Sequence, residues 1–393
     1  MIQTAGASSG LQRMQRLALV AGVIGLVLCA VGALLNPTQF FQSYLFAYLF
    51  WLGLALGSLG FAMLQHLTGG GWGLVTRRLF ESGALTIPLM ALLFVPLLPG
   101  IPTLYEWARP EVVNNDPLLQ QKQPYLNVGF FVVRAVIYFA AWIALALLLN
   151  RWSLRQDRQD DPWLLRRLRL LSAWGLIIYF LTMTFASFDW AMSLEPHWYS
   201  TIYGAIVVMG QALTTLAFII IITRMLATQP PLAGVIRQQH FHDLGNLLLA
   251  FVMLWTYMSF SQFLIIWSGN IPEEVTWYLH RMAGGWQWIA ALLVLFHFFL
   301  PFFLLLLRST KLNAGRLAAL AGGLLVVHLL VVFWLVMPSF HHEGVHVHWL
   351  DLAAPLGIGG LWLAAFVWLL SRRPLIPPHD PRLATLNNHA HAH

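Results

Sequence analysis

Four side chains stand out by what they are and what surrounds them. Arg134, Asp189, His297 and His328 are polar or ionisable groups set in, or at the end of, long apolar runs. At membrane depth such a group costs several kcal/mol, about 2.5–3.5 by insertion scales, so each is a candidate for function. An arginine beside an aspartate makes an ion pair. That pair either ties two helices together or forms a polar pocket that takes up a proton or holds a polar headgroup. Two histidines at similar depth offer three chemistries. They can relay a proton, because neutral imidazole both donates and accepts. They can hold a haem iron as axial ligands. Or each can be satisfied separately by a neighbour. Two carboxylates, Glu81 and Asp351, sit at the ends of apolar runs, and His197 lies in an aromatic connecting loop.

The elements that position these groups are legible from hydropathy. The chain is 59% hydrophobic and 9% charged, with mean hydropathy +0.70. A spanning helix needs about 20 apolar residues and satisfies its own backbone. Ten such stretches can be read, roughly Leu17–Leu35, Tyr44–His66, Ala84–Leu98, Val128–Leu149, Leu168–Ala186, Thr201–Leu226, Leu247–Trp267, Trp286–Leu307, Leu317–Met337 and Trp349–Leu370. The expected fold class is an all-α polytopic membrane protein. Pro88 and Pro96 predict a kinked third stretch. Assigning the loops alternately to two sides puts all but four of the 22 Lys and Arg residues on one side. The exceptions are Arg109, Lys122 and Arg281 opposite, and Arg134 within a span. The positive-inside rule then predicts cytoplasmic termini. Residues 1–16 read as a cytoplasmic segment, 17–371 as the membrane domain and 372–393 as a Pro/His-rich cytoplasmic tail. The first apolar stretch is too long for a signal peptide and lacks a small-residue cleavage site, so it reads as the first span.

On these spans Arg134 lies about two turns in from the outer face. Asp189 reaches similar depth if the fifth helix continues for a turn, which predicts an Arg134–Asp189 pair. His297 and His328, on consecutive helices, fall within roughly one turn of each other in depth. His66, Arg77, Arg78 and Glu81 could form an inner polar vestibule, as could Arg237, His240, His242 and Asp243; ordinary interfacial anchoring is the plainer reading of both. No Asp or Glu sits at the centre of a predicted span.

Composition closes several routes. The single cysteine, Cys29, excludes disulfides, Fe–S ligation and c-type haem attachment within this chain. No phosphate-binding loop or dinucleotide fingerprint is present. The net charge of +7 reflects topology and anionic lipid rather than nucleic acid. A weak internal repeat aligns WLGLALGSLGF (Trp51–Phe61) with VMGQALTTLAF (Val208–Phe218), consistent with a parallel duplication of four-helix units.

Several loop-edge motifs are distinctive: WGLVTRRLFE (Trp72–Glu81), YLNVGFFVVRAVIYFAAW (Tyr125–Trp142), SFDWAMSLEPHWYSTIYG (Ser187–Gly204), the run from Phe251 to Trp286, HFFLPFFLLLLRSTK (His297–Lys311) and HWLDLAAPLGIGGLW (His348–Trp362). In this order they resemble the membrane subunits of bacterial alternative complex III, within the NrfD/PsrC-like family of quinone-interacting proteins. The resemblance covers about Trp72 to Phe366.

That resemblance implies two four-helix bundles with extra peripheral helices. It implies a complex that oxidises quinol and passes electrons to a periplasmic acceptor. Its haem c and Fe–S clusters would lie in partner subunits, a multihaem cytochrome c and Fe–S proteins, beside a second NrfD-like paralogue, ActC. No cofactor is expected on this chain. The ActC paralogue is the better candidate for the main quinol site, and this chain for a scaffold with a proton path. The polar groups at matching motifs are Glu81, Arg134, Asp189, Glu195, His197, Gln262, Glu273, Glu274, His297 and Asp351. The expected proton-path residues are Glu81, Arg134, Asp189, His297, His328 and Asp351. Alternatives remain open: a quinol pocket in this chain around Arg134, Asp189 and His197, a secondary transporter, or a b-type cytochrome through His297 and His328.

Overall fold

The computed structural model describes residues 9–157, 161–229 and 232–375. Most of the predicted tail, including its terminal histidines, lies outside them, as do residues 1–8. Every regular element among the described residues is helical. Ten helices are long and apolar enough to cross a membrane, making this a multi-pass membrane protein. We number these spans 1 to 10: Gly10–Leu35, Pro37–Thr68, Gly71–Leu104, Val128–Gln156, Trp163–Leu194, Tyr203–Leu226, Gln238–Gly269, Trp286–Leu306, Ala314–Ser339 and Leu350–Ser371. Each coincides with a stretch read from hydropathy.

The starts of the helices are chemically marked. Asn36 accepts from the Gln39 N–H at 3.1 Å and is followed by Pro37. Asn127 accepts from Phe130 N–H at 2.8 Å. Asn313 accepts from Gly315 and Arg316 N–H, both at 3.0 Å. Each side chain satisfies a backbone donor that the first helical turn leaves unpaired.

Span 3 begins well before the predicted Ala84. A first helix, Gly71–Ala84, buries Arg77, Arg78 and Glu81. The chain then turns, and Thr86 donates to Gly83 O at 2.6 Å. A second helix, Ile87–Phe94, starts with Pro88 in its first turn. Pro88 stands at a helix start, where its missing N–H is harmless, and Pro96 opens a 3-10 segment, Val95–Gly100, so the third stretch is interrupted at both prolines. The charged residues hid this start because hydropathy cannot see their partners.

Spans 2–5 form one ring of four: span 2 packs on spans 3 and 5, and span 4 on spans 3 and 5. Spans 6–9 form a second ring, with span 6 against spans 7 and 9 and span 8 between them. The two bundles meet through spans 2 and 6, the two most buried helices. These are the helices that carry the sequence repeat, so repeat partners occupy equivalent places. Spans 1 and 10 pair closely on the outside of span 2. Gly25 meets Gly357 there, and an added Cβ on Gly357 would stand 2.9 Å from Gly25 C. Small residues of this kind let membrane helices pack at backbone distance.

Candidate functional site

We call the side where span 1 begins and span 10 ends, which also carries most arginines, the basic face and its opposite the acidic face. Near the acidic face, spans 4 and 5 bring Arg134 and Asp189 together. Arg134 Nε donates to Asp189 Oδ2 and Nη2 to Oδ1, both at 2.8 Å. This two-pronged geometry is the strongest that arginine makes with a carboxylate. Tyr138 Oη donates to Oδ2 at 2.9 Å, and Arg134 Nη1 to Tyr125 O at 2.8 Å. The Tyr125 and Phe130 rings cover the guanidinium at 3.9 and 4.4 Å. Asp189 is fully buried. The pair is thus satisfied and closed off.

His197 is placed elsewhere. It is exposed and bonds Asp116 Oδ2 at 2.6 Å. Burial raises the Asp116 pKa. The hydrogen bonds from His197 and from Leu118 and Leu119 N–H outweigh this and hold it below its ordinary value. His197 lines a groove of about 780 Å³, together with Tyr125, Lys122, Ser193, Glu273 and Glu274. Neither Arg134 nor Asp189 lines it. Tyr125 separates the groove from the ion pair. The three residues grouped as a quinol pocket therefore do not share one open cavity.

The second bundle carries the histidines. His297 Nε2 and His328 Nδ1 are 3.0 Å apart, a direct hydrogen bond between spans 8 and 9. Trp255 of span 7 packs its ring 4.2 Å from that of His297. Gly210 of span 6 makes room for His328: an added Cβ would stand 2.7 Å from His328 Cε1. The direct bond uses one nitrogen of each ring and leaves no space between the rings for a haem. An imidazole–imidazole hydrogen bond of this kind has the geometry through which a proton can pass. His297 Nδ1 is buried without a hydrogen-bond partner.

A cavity of about 60 Å³ lies between the bundles against His328. Gln211, Thr214, Ser187 and Tyr203 add polar groups to a mainly apolar wall. The volume exceeds the roughly 10–15 Å³ that a single water needs. Gln211 accepts from Tyr179 Oη at 2.7 Å. Toward the acidic face the cavity reaches Leu335, whose carbonyl accepts from Arg281 Nη2 at 2.8 Å. Leu335 is two helical turns from His328, about 10 Å along span 9.

Arg281 belongs to a cluster that sequence reading missed. It is fully buried and donates to Glu195 Oε1 at 2.7 Å, while Ser339 donates to the same oxygen at 2.8 Å. His280 Nδ1 lies 3.4 Å from Oε2. Burial pushes the Glu195 pKa up. The charge of Arg281, with hydrogen bonds from His280, Arg281 and Ser339, outweighs burial and holds it at about 2. Glu195 stood among the polar groups at matching motifs, but its pairing with Arg281 was not read, because the two are 86 residues apart.

On the basic face Glu81 sits among arginines. Arg77 Nε donates to it at 2.9 Å and Arg78 Nη1 at 2.7 Å, and Ser153 donates as well. Arg78 also pairs with Asp157. Arg373, after span 10, lies 3.9 Å from Glu81. This is a sealed network, not an open vestibule; His66 is buried near the same end of span 2. Arg237 and His240 cap the start of span 7 locally. Asp351 accepts from Ser43 Oγ at 2.6 Å and from His348 N–H at 2.8 Å, so it holds the turn before span 10 and ties that span to span 2. Gln262 accepts from Ser200 Oγ at 2.7 Å. The predicted path residues thus fall into separate groups rather than one chain. Among the described residues no group of three or more His, Cys, Asp or Glu is placed to hold a metal ion.

Fold and site together define a class: a ten-span helical membrane protein with ion pairs toward its two faces and a histidine pair between them. No family model matches the chain, and no curated protein matches it significantly.

Proposed function

We propose that the chain is the ActF-type membrane subunit of a bacterial alternative complex III. It sits in the cytoplasmic membrane with both termini inside, a reading that the lysine and arginine distribution supports. Beside an ActC paralogue, a multihaem cytochrome c and Fe–S subunits, it supports quinol oxidation. Quinol gives up two electrons, which pass to the partners' Fe–S clusters and haem c, and two protons, which leave at the periplasmic side. This chain contributes no redox centre. It supplies scaffold and a proton-handling site.

The observation that carries the reading is the hydrogen-bonded His297–His328 pair beside a cavity that leads toward Arg281. A proton accepted by His328 on its free nitrogen releases the Nδ1 proton to His297 Nε2. His297 holds that proton until it returns through His328 to the cavity, because its Nδ1 has no hydrogen-bond partner. The ordered family motifs from Trp72 to Phe366 support the same assignment.

The groove at Tyr125 and His197 favours a second reading, in which this chain itself binds quinol at the acidic face. The test for both begins with gentle purification through this chain, mass spectrometry of co-purifying subunits and a reduced-minus-oxidised spectrum. Stoichiometric haem c and Fe–S subunits beside a second NrfD-like chain are expected. A solitary protein would overturn the assignment. Photolabelling by a quinone analogue then separates the readings: label on ActC supports the scaffold role, and label at Tyr125–Leu126 or Pro196–Tyr199 the second.

A further inference from the structure

Span 8 is not a continuous α-helix. Residues Val294–Phe299 form a π turn between α-helices Trp286–Leu293 and Leu300–Leu306. Leu300 N–H reaches back five residues to Leu295 O. A π turn is an α-helix with one extra residue in the turn, and such turns concentrate at functional sites. His297 stands within this one. Pro301 follows directly, and proline has no N–H to give. A wide turn can therefore slide toward Pro301 without breaking a bond there.

Sliding the extra residue past His297 turns that side chain by about 100°. The preceding residue, Phe296, then takes its seat. His297 has Phe296 before it and Phe298 after it, so the slip replaces an imidazole by a group that cannot carry a proton. The surroundings suit the exchange. Trp255 packs against the imidazole now, and an indole face accepts a phenyl ring as well. Phe296 is now partly exposed on the outside of the helix. His297 Nδ1 has no partner in its present seat, so leaving that seat strands no hydrogen bond but the one to His328. The cavity touches His328 and not His297.

We propose that the π turn of span 8 is a two-register switch that sets either His297 or Phe296 against His328. In the first register a proton passes between the imidazoles. In the second, His328 faces only the cavity. The register change itself stands on geometry; its consequence for proton transfer rests on the function proposed above.

The test uses the assembled complex. Benzoylphenylalanine at position 296 reads the register by photocapture, with position 292, upstream of the turn and lipid-facing, as control. Capture of span 9 peptides from position 296, rising at least twofold during quinol turnover, is expected, with lipid capture alone from position 292. Lipid capture alone from position 296, with and without turnover, overturns the switch whether or not protons are handled here. Deleting Leu295 removes the extra residue and holds His297 in its present seat. Loss of proton translocation with electron transfer retained is then expected. Full translocation by the deletion variant, despite capture at position 296, overturns the switch's role in coupling.

Discussion

The two bundles use the same pair of helices for different chemistry. In each, the third and fourth helices are joined by a polar pair: Arg134–Asp189 on spans 4 and 5, His297–His328 on spans 8 and 9. The first pair is charged, forked, capped by aromatic rings and near the acidic face. The second is a single hydrogen bond, which requires at least one neutral ring. No carboxylate touches it in the described hydrogen bonds. Separating a buried ion pair leaves two desolvated charges, so the first pair is fixed. Separating two imidazoles exposes polar groups but no obligatory charge. Motion and proton exchange are therefore affordable in the second bundle and not in the first.

The largest expected effect tests the fixed pair. Arg134→Met strands the buried Asp189 carboxylate and costs about 3–5 kcal/mol. It should abolish accumulation of the folded chain in membranes, read by detergent extraction and thermal melting. The double variant Arg134→Met with Asp189→Leu removes both charges and should recover most of that loss. A double variant that assembles but does not turn over would break the comparison, by giving the first pair a chemical role as well.

The second bundle has its own ion pair, Glu195–Arg281, and it too lies at the acidic face. Hydrogen bonds to a charged group contribute about 1.5–3 kcal/mol each, so Glu195→Gln should lower the melting temperature measurably at neutral pH. The sign with pH follows from the depressed carboxyl. Its stabilisation is complete above the unfolded value of about 4.3 and is lost as pH falls toward about 2. The melting gap between wild type and Glu195→Gln should stay constant from pH 7 to about 5 and close on acidification. A gap that closes as pH rises would overturn the assignment.

How much of this was legible beforehand differs by the kind of partner each residue has. Arg134 and Asp189 could be paired from sequence because they are the arginine in a span and the carboxylate nearest to it in depth. The histidines could be matched by counting turns. The ten spans follow from apolar length alone. Arg77 and Arg78 misled, because burying them depends on Ser153, Gln156 and Asp157, more than seventy residues on. Arg281 was read as an ordinary loop charge for the same reason. Gln211 and Tyr179 gave no signal, since each is unremarkable without the other. The π turn was invisible: the sequence around His297 is uniformly apolar and fits α and π equally.

A smaller effect sharpens the difference between the bundles without removing a polar group. Gly210→Ala places a methyl 2.7 Å from His328 Cε1. Overpacking of this kind costs about 1–3 kcal/mol. The backbone of span 6 is held by span 2 and cannot retreat, so the imidazole must shift. The expected result is a folded complex with normal electron transfer and fewer protons moved per electron. Unchanged proton stoichiometry would show that the position of His328 does not matter.

The smallest expected effect on stability is also the most discriminating on function. His328→Gln keeps a side chain that can hydrogen-bond His297, so stability should change by only about 0.5–1.5 kcal/mol. A glutamine amide cannot accept and release a proton as imidazole does. The variant should therefore assemble, oxidise quinol and reduce the acceptor, yet lose proton translocation in proteoliposomes. Had the pair been purely structural, the same substitution would leave translocation intact, because the packing and the hydrogen bond survive. Assembly separates this outcome from the Arg134 result. In the first bundle the chemistry and the stability are lost together, whereas in the second they come apart, because a hydrogen bond without an obligatory charge costs little to alter.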